Sequence, residues 1–351
     1  MAIAEITNAQ IKLTCPHCRE RLTETHDRLE CAGCSARWPV VEGIPYFVAE
    51  APYWGERGLT PEVMREINAQ MPARSWHAIM REHPLEAVRE RYEIISEIVK
   101  ETWPGLGALA ANKLVLDLGA GLGNYTQIIS PHAKHIYAVD RVEERVQFMQ
   151  KRFQEEGCRN ITVVRSDVDS LPFPEGSFDL IILNGVLEWL PFSRKKANPR
   201  EAQIYYLRTM RKLLSASGTI YIGIENRMSY DYLRGGMDQH VSLKYVAVLP
   251  RFLADVVCKR KMGDRYRPYQ YTSAGYKRLL RDAGYREAEV YSAFPSYILP
   301  KKVVSLRESS IHFAGDVWRT KNRVNLWAKS LLIRLDLLKY FGFAYIILAR
   351  K

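Results

Sequence analysis

No run of about 18 uncharged apolar residues occurs in the chain, so no segment reads as a bilayer-spanning helix. Met1 to Leu13 also lacks the basic start and apolar core of a secretory leader, and a cytoplasmic location is expected. Cysteine is scarce, with six in 351 residues. Four of them form two CxxC pairs, while Cys158 and Cys258 are isolated thiols. That usage excludes a disulfide-stapled secreted scaffold; in a reducing compartment paired CxxC motifs point to a metal. Acidic residues are short in one region only. The whole chain has 51 Lys+Arg against 39 Asp+Glu, a net +12, and residues 226 to 351 hold 24 and 10 of these, a net +14. The rest of the chain is therefore slightly acidic. Excess positive charge in the last third points to an anionic partner there: a nucleic acid, a phosphorylated substrate or a membrane surface. The length suits two or three domains.

What is present begins with CPHCRERLTETHDRLECAGC, residues 15 to 34. Cys15 and Cys18 form one tight knuckle and Cys31 and Cys34 the other, with twelve residues between the pairs. Two such knuckles complete a tetrahedral zinc site, and four thiolates leave no open coordination position, so the metal is expected to be structural. His17 lies inside the first knuckle, where it could displace a cysteine, but with four cysteines present it reads as a solvent-facing residue. Arg21 to Glu30 reads as a short hairpin, and Trp38 to Val48 as a strand broken by Gly43 and Pro45. A module this small needs its metal to fold. CPHC, CAGC and the trailing GIPYF resemble the zinc-ribbon family that includes the small activator subunit of tRNA methyltransferases and the N-terminal knuckles of some ribosomal-RNA guanine methyltransferases.

Further along, Leu114 to Leu118 is an apolar strand, and Gly119, Gly121 and Gly123 follow in a turn that opens a helix. Glycines there let backbone approach a ligand closely. HIYAVD ends on Asp140, 23 residues after Asp117, where an acidic side chain can take both hydroxyls of a ribose. A third strand ends near Asp167, a fourth spans Phe178 to Leu183, a helix covers Ala202 to Leu214, and GTIYIGIEN is a fifth strand. Alternating strands and helices predict a parallel doubly wound sheet. Singly, each residue has a plainer account: the glycines as turns, Asp167 and Asp179 as turn formers or helix caps.

Together VLDLGAGLG, YAVD, RSDVDSLPF and FDLIILNGVLEWL resemble, in order, the four motifs of class I S-adenosyl-L-methionine (SAM)-dependent methyltransferases of the type 11/12 kind, over roughly residues 110 to 225. An NAD-dependent dehydrogenase on a related fold is the competing reading, and the last glycine of its fingerprint is absent. The resemblance implies a Rossmann-like doubly wound seven-stranded sheet, preceded here by the small β zinc ribbon and carrying two C-terminal insertions. It implies that Gly119, Ala120 and Gly121, with Asp117, meet the amino-acid part of SAM. Asp140 and Arg141 would meet the ribose, Asp167 and Val168 the adenine, and Asn184, Gly185 and Val186 the sulfonium side. The domain boundaries expected are 1–50 for the ribbon, 51–110 for a helical linker or lid, and 111–351 for the methyltransferase domain, with insertions at about 226–271 and 295–342.

Within the linker, Trp54, Trp76 and Tyr92 are candidates to cover the cofactor or to pack the helix on the sheet; His77 and His83 read as surface residues. The first insertion is aromatic and basic and lies at the C-terminal edge of the sheet, where α/β enzymes bind ligands. Ser273 to Ala283 reads as a helix, Glu287 to Ser292 as a strand, and AYIILARK as a closing antiparallel strand. ENR, GGMDQH and LPR resemble a subgroup of methyltransferases associated with bacterial surface-polysaccharide and secondary-metabolite gene sets.

Methyl transfer to a hydroxyl needs alignment and removal of one proton. His240 is the candidate base, with Asp238 orienting it or binding the acceptor, and Glu188, Glu225 and Asn226 are expected on the acceptor side. KRKMGDRYRPY, residues 259 to 269, reads as a phosphate-binding or stacking surface through Tyr266 and Tyr269, or as a solvated face. Residues 325 to 343 read as an amphipathic helix, lying on a membrane or packed on the domain or a dimer partner. The leading expectation is a SAM-dependent methyltransferase acting at oxygen on a small-molecule, sugar or lipid-linked glycan acceptor, with structural Zn2+ and a peripheral membrane contact as a further option. RNA is the alternative acceptor, gripped by the ribbon and the basic C-terminal region, although NGVL stands where amino-group nucleic-acid methyltransferases carry an NPPF-type motif. A non-catalytic scaffold whose ribbon docks a partner enzyme is a third reading.

Overall fold

The computed structural model describes residues 10–25, 27–48, 58–310 and 323–351. Trp54 lies outside them. The chain divides into two compact units, one of Met1–Ile182 with Lys212–Gly218 and one of Leu183–Arg211 with Thr219–Lys351.

The first unit begins with the cysteine module. Strands β1 (Leu22–Glu24), β2 (Arg28–Cys31), β3 (Arg37–Val41) and β4 (Ile44–Pro45) form an antiparallel meander in chain order. Each knuckle closes through a residue at positive φ, Arg19 (67°) and Ser35 (58°), whose N–H returns to the carbonyl of Cys15 or Cys31 at 2.8 and 2.9 Å. After β4 the chain runs beside a strand of the larger sheet: Phe47 N–H donates to the Arg165 carbonyl at 2.8 Å, and the Arg165 guanidinium lies 4.8 Å above the Tyr46 ring. Ile11 N–H donates to the Tyr137 hydroxyl at 2.7 Å and Thr14 N–H to the Pro172 carbonyl at 2.8 Å. The ribbon thus covers a sheet edge that would otherwise present unpaired backbone groups.

Three helices follow: α1 (Pro61–Gln70), α2 (Trp76–Arg81) and α3 (Glu86–Glu101). Thr60 caps α1 at the Val63 N–H, with proline in the first turn, and Ser75 caps α2 at the His77 N–H. Their apolar sides, including Met64, Ile67, Ile79 and Ile95, bury together with Leu122 and Phe148. Trp76 is at the centre of this core: its indole N–H donates to Glu156 at 3.1 Å and the Arg152 guanidinium sits 4.5 Å over its ring. It therefore packs the helices onto the sheet's covering layer. His83 is a correction to the surface placement expected of it, being only 4% exposed. Its Nδ1 accepts from the Leu85 N–H at 3.1 Å, fixing the turn that starts α3, whereas His77 is exposed as expected.

After α4 (Gly105–Ala110) come β5 (Leu114–Leu118), α5 (Asn124–Ile129), β6 (His135–Asp140), α6 (Glu143–Glu155), β7 (Ile161–Arg165) and β8 (Phe178–Asn184). The order β8-β5-β6-β7 is parallel at every pairing. All six residues of β6 are buried, and residues 136–139 between His135 and Asp140 are the continuous apolar run that a parallel strand covered on both faces needs. Asp179, at the start of β8, spends its carboxylate on the Leu114 N–H and the Ser215 hydroxyl, so it is a structural residue.

Next, α7 (Pro199–Leu213) leads into β9 (Leu214–Glu225), both belonging to the second unit except for Lys212–Gly218. Then come α8 (Tyr230–Leu233), the short hairpin β10 (Met237–Asp238) and β11 (Leu243–Lys244), α9 (Arg251–Met262), α10 (Ser273–Asp282), β12 (Ala288–Pro295), β13 (Pro300–Ser305), α11 (Arg323–Arg334) and β14 (Ala344–Arg350). The order β13-β12-β14-β9 is antiparallel throughout, with Ile347 opposite both Val290 and Ile222. AYIILAR is thus inserted between its neighbours as the expected closing strand. The expectation of seven strands needs correction, because the two units hold eight in these sets. The additional one, β13, comes from within residues 295–342, where Val303 and Val304 pair with Ala293 and Ser292.

Candidate functional site

The turn after β5 is built by three glycines at positive φ, Gly119 (71°), Gly121 (61°) and Gly123 (80°). They are not equivalent. A Cβ on Gly123 would lie 2.4 Å from Phe153, which makes that glycine a packing requirement, whereas one on Gly121 would meet nothing within 4 Å. Gly121 therefore presents backbone to open space, as a cradle for a ligand does. Its N–H donates to Asp140 Oδ2 at 3.0 Å, and the Val142 N–H donates to Oδ1 at 2.9 Å, so the carboxylate at the end of β6 is held in one orientation. Gly119 and Ala120 both donate to the Val139 carbonyl, joining the turn to β6.

Asp117 is buried at the end of β5 and accepts from the Thr126 hydroxyl at 2.6 Å. Burial pushes its carboxyl up to about 6, helped by the nearby charge of Asp140 and opposed by the Thr126 hydrogen bond. Asp167 caps a short 3-10 turn, accepting from the Val168 N–H at 2.6 Å, and its other oxygen pairs with Arg141 at 3.2 Å. Asp117, Asp140, Arg141 and Asp167 therefore belong to strand ends of one parallel sheet, as expected of them. Asn184 and Gly185 are in the second unit, where Gly185 takes φ 69° and donates to the Gly223 carbonyl at 2.9 Å. The Asn184 amide oxygen is buried and without a hydrogen bond.

The second unit assembles an acidic cluster around His240. Asp238 Oδ1 accepts both the backbone N–H and the ring Nδ1 of His240, at 2.9 and 3.0 Å. Its other oxygen accepts from the Tyr266 hydroxyl at 2.7 Å. The opposite ring nitrogen, Nε2, faces Glu188 Oε1 at 3.6 Å and Glu225 Oε1 at 3.9 Å. The three side chains are 0–3% exposed. Glu225 Oε1 also accepts from the Tyr297 hydroxyl at 3.0 Å, whereas Glu225 Oε2 and both oxygens of Glu188 have no hydrogen bond. Burial works against a charged His240, but Asp238, Glu188 and Glu225 outweigh it and push the imidazole up to about 11. Burial, with Glu188 second, pushes Glu225 up to about 7. The arrangement can hold a proton or a cation among carboxylates in a place closed to water.

Asn226 is a correction. Its amide nitrogen donates to the carbonyls of Tyr340 and Gly342, and its oxygen accepts from the Met228 N–H, so it ties loops together with both donors spent and is 0% exposed. Tyr266 and Tyr269 are a second correction: 0% and 8% exposed, they pack around Arg251, whose guanidinium is 4.3 Å from the Tyr269 ring, and offer no stacking platform. Lys259, Arg260 and Lys261 do face solvent. Tyr297 and Gln270 join the cluster with no local motif to announce them; Gln270 lies 3.4 Å from His240 Nδ1.

At the ribbon, the four sulfurs of Cys15, Cys18, Cys31 and Cys34 gather within 4.8 Å of one another. The Cys15–Cys34 and Cys18–Cys31 separations are 3.6 and 3.3 Å, close to the roughly 3.8 Å edge of a tetrahedron with 2.3 Å Zn–S bonds. His17 instead sets its ring edge-on to Trp38 at 4.9 Å and is exposed. The residues can hold zinc by four thiolates.

Residues 115–204 match the methyltransferase domain family. The matched segment takes in the glycine turn, Asp140, Asp167, Asn184 and Glu188. An uncharacterized methyltransferase, YcgJ, of Bacillus subtilis is 38% identical over 71 residues, 20% of this chain and 28% of that protein. The malonyl-[acyl-carrier protein] O-methyltransferase of a Paenibacillus strain is 28% identical over 108 residues, 29% of this chain and 37% of that protein. The chain thus spans roughly a third of the length of these curated relatives. A SAM-dependent methyltransferase structure from Thermotoga maritima has a TM-score of 0.44 at 15% identity, covering 79% of this chain and 99% of that one. Among the described residues no helix is long and apolar enough to cross a membrane.

Proposed function

We propose that this chain is a class I SAM-dependent methyltransferase that methylates an oxygen of a small-molecule, sugar or lipid-linked glycan acceptor. The observation that carries the reading is the turn at Gly119–Gly123, with Gly121 open at positive φ and the Asp140 carboxylate fixed behind it, inside the segment that matches the methyltransferase domain. Asp117, Gly119, Ala120 and Gly121 would hold the amino-acid part of SAM, Asp140 and Arg141 the ribose, Asp167 and Val168 the adenine, and Asn184 and Gly185 the sulfonium side. When bound, SAM supplies an electrophilic methyl group on a sulfonium.

The residues of the chain have two tasks in that reaction: to align an acceptor oxygen with the methyl and to take its proton. The cluster of His240, Asp238, Glu188 and Glu225 is proposed for the second, with a glutamate in place of His240 as the group that takes the proton, because the imidazole, pushed up to about 11, already carries one. Asp238 fixes the imidazole, and the two glutamates gather acidic oxygens in a dry site where proton transfer is not lost to solvent. Cys15, Cys18, Cys31 and Cys34 are proposed to hold a structural Zn2+ that folds the ribbon. The burial of Tyr266 and Tyr269 speaks for the small acceptor over RNA.

Calorimetric titration of the full chain with SAM and with S-adenosylhomocysteine tests the reading. Binding of both is expected, and Asp140→Ala is expected to weaken it by about tenfold or more, since a buried charge-assisted hydrogen bond contributes about 1.5–3 kcal/mol. Absence of binding to either would overturn it.

A further inference from the structure

We infer that Glu188, Glu225 and His240 form a divalent-cation site, separate from the cysteine ribbon, with Asp238 as the carboxylate that orients the histidine ligand. The inference stands on the geometry of the cluster and does not depend on methyl transfer.

Distance is the first argument. Two protein atoms bound to one metal at about 2.1 Å lie roughly 3.0–4.2 Å apart for angles between 90° and 180°. His240 Nε2 is 3.6 Å from Glu188 Oε1 and 3.9 Å from Glu225 Oε1. The three atoms all lie within 4.8 Å of one another. Those separations are too long for hydrogen bonds and suit ligands spread around a common ion.

Unsatisfied chemistry is the second. Glu188 is fully buried and both of its oxygens lack a hydrogen bond, as does Glu225 Oε2. A buried carboxylate with no donor costs several kcal/mol unless it is protonated, paired or bound to a metal. Charge agrees. Asp238, Glu188 and Glu225 surround one imidazole in a site at most 3% exposed, so even a protonated His240 leaves two negative charges uncompensated if all three acids are ionised. A dication placed among Glu188, Glu225 and a neutral His240 balances the glutamates.

Orientation is the third. Nδ1 of His240 points to Asp238 Oδ1 at 3.0 Å, so in the neutral ring Nδ1 carries the proton and the Nε2 lone pair is aimed at the two glutamates. That carboxylate–histidine relay is the usual support of a metal-ligating histidine. Tyr266 and Tyr297 in turn hold Asp238 and Glu225 by their hydroxyls. One nitrogen and two carboxylates suit Mn2+, Fe2+ or Zn2+, and three protein ligands leave coordination open for an oxygen from water or an acceptor.

The test uses full-length protein with the ribbon zinc retained, titrated with Mn2+ alone and followed by the electron paramagnetic resonance signal of free Mn2+. One saturable Mn2+ per chain is expected, with affinity reduced about 10- to 100-fold in Asp238→Asn and by at least as much in Glu225→Gln. Glu188→Gln gives the same loss and keeps the test decisive should Glu225→Gln fail to fold, because Glu188 makes no hydrogen bond that the fold would miss. No saturable Mn2+ or Zn2+ beyond the ribbon zinc, in protein with unchanged circular dichroism, overturns the site; so does undiminished binding in Glu188→Gln. A parallel SAM titration separates the readings: lost SAM binding with Mn2+ retained defeats methyl transfer and leaves the cation site standing.

Discussion

The cysteine ribbon and the His240 cluster are both compact sets of side chains able to hold a metal, and they are made in opposite ways. The ribbon draws four thiols from residues 15 to 34, brought together by two local turns at Arg19 and Ser35. The cluster draws Glu188 from the turn after β8, Glu225 from the end of β9, His240 from the four-residue loop between β10 and β11, and support from Tyr266 and Tyr297. A local site of this kind depends on its ligand for its fold. A site assembled from distant segments depends on the surrounding core and can keep unsatisfied charge at a cost to stability.

That contrast is broken most severely at the ribbon. Cys31→Ser is expected to abolish zinc binding and unfold residues 10–48, because metal binding free energy is folding free energy in such modules. Zinc content measured by mass spectrometry, with limited proteolysis, checks this, and unchanged zinc would disprove a four-thiolate site.

At the cluster the opposite sign is expected. Glu188→Gln should lower turnover by about 10²-fold, the low end for a proton-transfer site. Yet in metal-free protein it should raise stability by roughly 1–3 kcal/mol, because one uncompensated buried charge is removed. Urea denaturation beside a turnover assay measures both, and a large destabilisation would show that the charge is paired after all.

The glycine turn allows a finer comparison. Gly123→Ala is expected to cost about 2–4 kcal/mol, joining left-handed strain to a Cβ 2.4 Å from Phe153. Gly121→Ala should cost only about 1–2 kcal/mol, since its Cβ meets nothing, but should weaken SAM binding more than its stability loss alone accounts for. Equal effects of the two on SAM affinity would remove the distinction between packing glycine and ligand-facing glycine.

The smallest expected effect is a slope. Asp117 sits at about 6 in the fold against an ordinary 3.8. An acid raised on folding binds its proton more tightly in the native state, so its stabilising contribution is full below about pH 4, fades as pH rises to about 6 and is absent above. The loss is on the order of 1–3 kcal/mol. Asp117→Asn should remove that slope, and denaturation at pH 4.5 and pH 7 for both proteins measures the difference.

How much could be read in advance follows the same division. VLDLGAGLG, YAVD and RSDVDSLPF mark strand ends because apolar runs, positive-φ glycines and acidic caps are local requirements, and Asp117, Asp140 and Asp167 are found at those ends. DQH was legible as a base candidate only because Asp238 and His240 are two residues apart. Glu225 was legible by its place at the end of a strand; Asn226, beside it, went the other way because its amide is spent on Tyr340 and Gly342. Tyr266 and Tyr269 read as a stacking surface by composition, and Arg251 gathers them into a core instead. The buried His83 was missed because a ring accepting the N–H two residues ahead leaves no mark beyond a single histidine.

By itself the sequence determined the ribbon's paired thiols, the parallel strands of the first unit and the glycine turn, because continuous apolar runs, knuckle spacing and backbone conformation are properties of short segments. Only the tertiary structure decided that Glu188, Glu225 and His240 face one another with both Glu188 oxygens and Glu225 Oε2 lacking a hydrogen bond, that Tyr297 supports Glu225, and that β13 adds a strand. Those outcomes depend on which distant segments a common core brings together, and on how far burial can hold like charges near one another before a proton or a cation has to enter.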